Sequence, residues 1–125
     1  MLYDIAEVSA KFNVSKNTLR YYESVDLLPT IERNSLGIRQ YTDDNIEQIN
    51  KVVHMRRLGA SVAETREFIH KGEPNNIEDL NEALTFLDQL NQNLSEKIKE
   101  IEQQKIFLNN KVAHLTKLKK HLKNQ

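Results

Sequence analysis

Asp4-Ile5-Ala6-Glu7-Val8-Ser9-Ala10-Lys11-Phe12-Asn13-Val14-Ser15-Lys16-Asn17-Thr18-Leu19-Arg20-Tyr21-Tyr22-Glu23-Ser24 holds two short helical patterns back to back. Leu2, Ile5, Val8 and Phe12 recur at helical spacing, which predicts an amphipathic helix from about Asp4 to Phe12, ended by Asn13, a residue that tolerates a left-handed turn. Ser15 then caps a second helix running to about Ser24, with Val14, Leu19 and Tyr22 able to face inward and Leu27, Leu28 and Pro29 closing it. Two short helices joined by a tight turn form the helix-turn-helix plan, whose second helix enters the major groove of DNA.

The outward side of the second helix carries Lys16, Asn17, Thr18, Arg20 and Tyr21, and no acid occurs between Val8 and Tyr22. Lys and Arg can neutralise phosphates or read guanine edges, Asn can pair with adenine, and Ser, Thr or Tyr hydroxyls can hold backbone oxygens. On these residues alone an ordinary solvated helix face stands beside the nucleic-acid reading. Downstream, Thr30 to Arg33 and Ile38 to Tyr41 flank Asn34-Ser35-Leu36-Gly37, which predicts a small hairpin. A hairpin after a reading helix is a wing. Arg33 and Arg39 are placed to project from it toward phosphates or the minor groove, whereas a hairpin that merely packs on the core does not need positive charges.

Thr42, Asp43 and Asp44 open a third helix with Ile46, Ile49, Val53 and Leu58 inward and Gly59 at its end. Ser61 and Glu64 form a capping box for a fourth, with Val62, Phe68 and Ile69 inward.

Composition narrows the function classes. The 125 residues include no Cys, 3 Gly and 2 Pro, so disulfides, thiolate metal sites and turn-rich β architectures are disfavoured and helices should dominate. No apolar run approaches a membrane span and no signal-peptide pattern opens the chain, so no membrane partner is expected and the cytoplasm is the expected address. No nucleophile-base pair, H-E-x-x-H or Gly-rich phosphate loop suggests an enzyme, and neither cofactor nor metal is expected.

Net charge is +0, but it is unevenly placed: residues 1–72 balance, 73–102 carry −6 and 103–125 carry +6. Gly72 and Pro74 mark the break, giving an expected DNA-binding domain over 1–72 and a linker with a dimerisation helix over 73–125. In that segment Leu80, Leu87, Leu94, Ile101, Leu108, Leu115 and Leu122 all fall at heptad position d. Position a mixes Ile77, Leu84, Ile98 and Val112 with Asn91, Lys105 and Lys119, polar residues that trade stability for register. A helix from about Ile77 to Leu122 with this stripe needs a partner strand. An antiparallel homodimer lays each basic tail along the partner's acidic half, while an intramolecular hairpin lacks a Gly or Pro to turn on.

Thr18-Leu19-Arg20-Tyr21-Tyr22-Glu23, Leu27-Leu28-Pro29, Gly37-Ile38-Arg39-Gln40-Tyr41 and Arg56-Arg57-Leu58-Gly59 follow one another in the order and spacing of the MerR family of bacterial transcription regulators, which this chain resembles over nearly its whole length. The resemblance implies a mainly α protein: a winged helix-turn-helix domain followed by a long helix forming an antiparallel coiled coil. It implies a homodimer on an inverted-repeat promoter, which distorts the DNA in response to an effector and so changes how RNA polymerase sees the promoter. Carried onto this sequence, the contacting helix is Ser15 through Tyr22, with Arg20, Tyr21 and Tyr22 near phosphates and Asn17 and Thr18 at base edges. Arg33 and Arg39 become wing contacts, with Tyr41 supporting the hairpin.

Metal- and redox-sensing members use cysteines and drug-sensing members a large C-terminal domain; the chain shows neither, and its wing and length look most like the small branch associated with aldehyde and thiol stress. Where that branch has a cysteine early in the third helix, this chain has His54, which either supplies a pH-dependent contact or simply fills space, as helical histidines more commonly do. His70, His114 and His121 have no neighbouring ligand pattern, and no effector is assigned. The rival reading is a coiled-coil interaction or scaffold protein whose N-terminal domain binds protein.

Overall fold

The computed structural model describes all 125 residues and contains five helices: α1 (Ile5–Phe12), α2 (Lys16–Ser24), α3 (Asp43–Arg57), α4 (Val62–Lys71) and α5 (Ile77–Lys123). Two compact units result, Met1–Leu84 and Thr85–Gln125. No helix is long and apolar enough to cross a membrane.

In the first unit every short helix starts on a side-chain cap. Asp4 accepts the Glu7 N–H while Glu7 accepts the Asp4 N–H, so a capping box starts α1 where only an apolar period was expected. Ser15 caps α2, Thr42 with Asn45 caps α3, and Ser61 with Glu64 caps α4. Each cap satisfies backbone donors that the first turn would otherwise leave orphaned, an effect of about 1 kcal/mol apiece. Asn13 ends α1 in the left-handed region at φ 53°, and three residues later the chain is helical again.

Val8 of α1, Leu19 and Tyr22 of α2, Leu27, Leu28, Ile31 and Tyr41 of the connecting segment, and Ile49, Val52 and Val53 of α3 form one buried cluster. Burial of such side chains is worth about 1.5–3 kcal/mol each and is the main force holding the first three helices together. The inward stripe of α3 differs from the expected one, since Val52 and Met55 are buried while Ile46 and Leu58 are only half-buried. In α4 the one fully buried residue is Thr65, whose hydroxyl donates to the Ser61 carbonyl; Val62, Phe68 and Ile69 are half-buried.

The expected hairpin is present as a turn rather than as two strands. Asn34 Oδ1 accepts the N–H groups of Leu36 and Ile38, and Gly37, at φ 78°, takes the left-handed position that closes the loop. Beyond the turn there is one bridge between Arg33 and Arg39, and then Tyr41 leaves to pair with Tyr3 instead. The Tyr3 and Tyr41 backbones exchange N–H···O bonds of 2.9 and 2.8 Å. The ladder is short because the second limb changes partner at Tyr41, and this pairing of the N-terminal segment with the wing base left no trace in the local pattern.

Asp43 sits beside this junction. The Tyr3 hydroxyl donates to it at 3.0 Å, and that bond, with the N-terminal ammonium, holds its carboxyl below the usual carboxylate range. The α4–α5 connection is pinned by Lys71, which pairs with Glu67 at 3.1 Å and Glu82 at 3.2 Å, and Asn76 Oδ1 accepts the Asp79 N–H to start α5.

The second unit is the continuation of α5, a helix of 47 residues, about 70 Å long at about 1.5 Å per residue. Its heptad residues lie largely open: Ile101 is 55% exposed, Leu108 59% and Leu122 64%. Leu94 is half-buried, and the one buried residue of α5, Leu90, is off the a/d register. Ile106 and Phe107 are also exposed and off register.

Candidate nucleic-acid interface

Helix α2 divides cleanly. Leu19 and Tyr22 turn into the core, leaving Lys16, Asn17, Arg20 and Tyr21 exposed on the other side. Tyr22 is 7% exposed, so its expected place among the phosphate contacts gives way to a core role, dictated by the same periodicity that exposes Tyr21. The Tyr21 and Tyr22 rings lie 6.3 Å apart at a tilt of 49°.

At the start of α2, Ser15 Oγ accepts the Thr18 N–H at 3.0 Å and lies 2.8 Å from Thr18 Oγ1. Thr18 is half-buried, so its hydroxyl serves the cap before it serves a base edge. Arg20 Nη1 donates to Asn17 Oδ1 at 3.0 Å. Neither Lys16 nor Arg20 forms an ion pair within the chain.

Electrostatics set α2 apart. The first turns of α1, α3, α4 and α5 carry Glu7, Asp43 and Asp44, Glu64, and Glu78 and Asp79, the sign that the helix dipole favours. The first turn of α2 carries no acid and begins with Lys16. A cation there forgoes about 0.3–1 kcal/mol that an acid would supply, an arrangement that suits an external anion such as a phosphate.

The wing's two arginines differ in what they do. Arg33 is exposed, and its Nη1 donates to the Gly37 carbonyl at 3.2 Å, which leaves most of its fork outward. Arg39 is not the free outward charge the sequence suggested. Its Nε pairs with Glu23 Oε1 of α2 at 3.0 Å, with the two side chains 20% and 16% exposed. The pair ties the wing to α2 across 16 residues of sequence. Local spacing carries no sign of it.

Tyr41 is fully buried beneath this pair, which rules out a direct DNA contact by its ring and leaves it as support for the wing. Its hydroxyl is buried without a hydrogen-bond partner. Burial pushes the phenol pKa above its ordinary 10.0, with Glu23 adding to the rise and Arg39, Arg20 and Arg33 opposing it. Tyr41 therefore lies where the charges of α2 and the wing converge. Tyr41→Phe removes an unpaired buried hydroxyl and keeps the ring, so stability should stay level or rise by about 1 kcal/mol. The sign with pH follows from the raised pKa: the stabilisation is complete below pH 10 and is lost as pH rises through the folded value. Melting curves taken across that range should show a shallower alkaline decline for Tyr41→Phe than for the parent, and an equal or steeper decline would refute the assignment.

Three further arginines brace helix ends. Arg57 Nη2 donates to the Phe12 carbonyl at the end of α1, Arg66 to the Val25 carbonyl at the end of α2, and Arg56 Nη1 to the Ala60 carbonyl. The first two satisfy carbonyls that a helix terminus leaves without a partner, and the third braces the turn between α3 and α4. His54 lies in the last turn of α3 rather than early in it, and it is exposed, so it does not fill space in the core. No cluster of three or more His, Asp or Glu residues is arranged to hold a metal ion. A hollow of about 220 Å³ between the N-terminal segment and the wing, lined among others by Leu2, Glu7, Ile38 and Arg39, is open and smaller than the roughly 300 Å³ at which ligand pockets usually begin.

Residues 3–71 match the family model described as MerR HTH family regulatory protein. The HTH-type transcriptional regulator AdhR of Bacillus subtilis (strain 168) is 38% identical over 65 residues, 52% of this chain and 46% of that protein. An uncharacterised HTH-type transcriptional regulator of Haemophilus influenzae is 27% identical over 121 residues, 95% of this chain and 87% of that protein. The chain spans about half the length of several of the curated relatives it matches. Among solved structures, HiNmlR, a MerR family regulator lacking the sensor domain and bound to promoter DNA, aligns with a TM-score of 0.72 at 25% identity, covering 95% of this chain and 94% of that one.

Proposed function

The chain belongs to the MerR family of helix-turn-helix regulatory proteins, and from that premise we propose that it is a sequence-specific DNA-binding transcriptional regulator acting as a homodimer on an inverted-repeat promoter site. Residues 1–72 form the DNA-binding domain and 73–125 the linker and dimerisation helix. The observation that carries this reading is the exposed face of α2, where Lys16 and Arg20 form no ion pair within the chain and the first turn has no acid. In this reading Ser15, Lys16, Asn17, Arg20, Tyr21 and Arg33 meet the duplex, while Glu23 and Arg39 set the wing against the reading helix. The promoter-bound state of HiNmlR, which shares the fold along nearly the whole chain, supports the choice of partner.

Two reading helices reach two half-sites only when a dimer spaces them. Leu80, Leu87, Leu94, Ile98, Ile101, Leu108, Val112, Leu115 and Leu122 supply the seam, and the opposite charges of the two halves of α5 favour an antiparallel pair. Distortion of the promoter between the half-sites is then the means by which the dimer alters what RNA polymerase encounters.

Selection of bound duplexes from a random pool tests the proposal. Recovery of one inverted repeat supports it, and a dimeric protein that enriches nothing refutes it. Affinity for the recovered site should also fall steeply as salt rises, because phosphate contacts release counterions. Arg20→Ala should weaken binding by about 1–3 kcal/mol while leaving the dimer intact, as measured by titration and sedimentation.

A further inference from the structure

The bond between Arg20 and Asn17 fixes the orientation of an amide that DNA would otherwise be free to set. A guanidinium has only donors, so the Asn17 carbonyl oxygen faces Arg20 and the amide NH2 faces away from it. Side chains three apart on a helix share one face, and both of these are exposed in the N-terminal half of α2, the part of a reading helix that meets base edges.

An asparagine that reads adenine needs both ends of its amide, with NH2 donating to N7 and the carbonyl accepting from N6. Here one of the carbonyl's two lone pairs is already taken by Arg20. An adenine amino group brought to the same oxygen would meet the guanidinium N–H groups donor against donor. Lys16 beside them is a pure donor and leans the same way. Guanine presents two adjacent acceptors in the major groove, O6 and N7, which suit a guanidinium held in a fixed plane.

We propose that Asn17 and Arg20 act as one specificity-determining unit that reads guanine in each half-site, with Asn17 as the positioning residue for the guanidinium and its outward NH2 donating to a neighbouring acceptor. This rests on the reading of α2 as the groove helix. It replaces the adenine contact that the sequence alone suggests for Asn17.

The test is selection from a random duplex pool with the full chain, run in parallel for the parent, Asn17→Ala and Arg20→Lys. Circular dichroism and sedimentation check that each variant folds and pairs like the parent. Arg20→Lys keeps the charge needed at a phosphate but loses the fork. The parent should favour guanine over adenine by about ten-fold at one position of each half-site, and that preference should fall several-fold at the same position in both variants. Adenine at the position that Asn17→Ala relaxes overturns the inference, as does an unchanged repeat recovered with either variant. A parent that enriches no sequence at all overturns both this inference and the regulator reading, whereas an inverted repeat insensitive to both substitutions overturns the inference alone.

Discussion

A chain carrying both Leu94→Lys and Ile101→Lys should sediment as a monomer and lose tight binding to an inverted repeat. In a symmetric dimer each substitution counts twice, so four ammonium groups enter one apolar seam. Ile101 is the middle of the seven aliphatic d residues, and in an antiparallel pair overlapping along the whole stripe it faces its own copy. Desolvating like charges there outweighs what the remaining leucines contribute, at about 1.5–3 kcal/mol for each one buried. Each protein would then engage one half-site, and affinity should fall about a thousand-fold or more, toward non-specific binding. The first unit should keep its helicity, because its core cluster contains no residue of α5. A folded monomer that binds the repeat as tightly as the parent would break the link between pairing and recognition.

Glu23→Ala should cost about 1–3 kcal/mol of stability and weaken DNA binding beyond that loss. Arg39 is only 20% exposed, and without Glu23 its guanidinium has lost the partner that offset its desolvation. Glu23→Gln keeps an acceptor and should lose less. Removing Arg39 as well should recover part of the stability but not the wing's position, and a double-mutant cycle separates the two effects. Melting temperatures measure the first consequence and titration with the selected duplex the second. An Ala variant as stable as the parent would mean that the pair is incidental to the fold.

The helices and their limits were legible because they depend on neighbours in sequence. Asn13 stops α1, Ser15, Thr42 and Ser61 start the next three helices, and Gly72 ends α4, all within reach of one turn of backbone. The heptad stripe was legible for the same reason: a fixed repeat defines a helix face wherever that helix lies. The burial of Val52, Met55 and Thr65 in place of other expected residues was less legible, because which part of a broad apolar face goes deepest depends on the helix packed against it.

What the chain's own residues determined, then, is five helices, a basic exposed face on α2 and a stripe on α5 that asks for a second copy. Tertiary structure decided how α2 is held and which of its groups remain free. Tyr3 pairs with Tyr41, Glu23 with Arg39, Arg57 with the Phe12 carbonyl and Arg66 with the Val25 carbonyl, across separations of 16 to 45 residues. Ion pairs and carbonyl braces of this kind require atoms to meet within about 3 Å. No spacing rule encodes that meeting, because it follows from how the buried faces of several helices settle against one another.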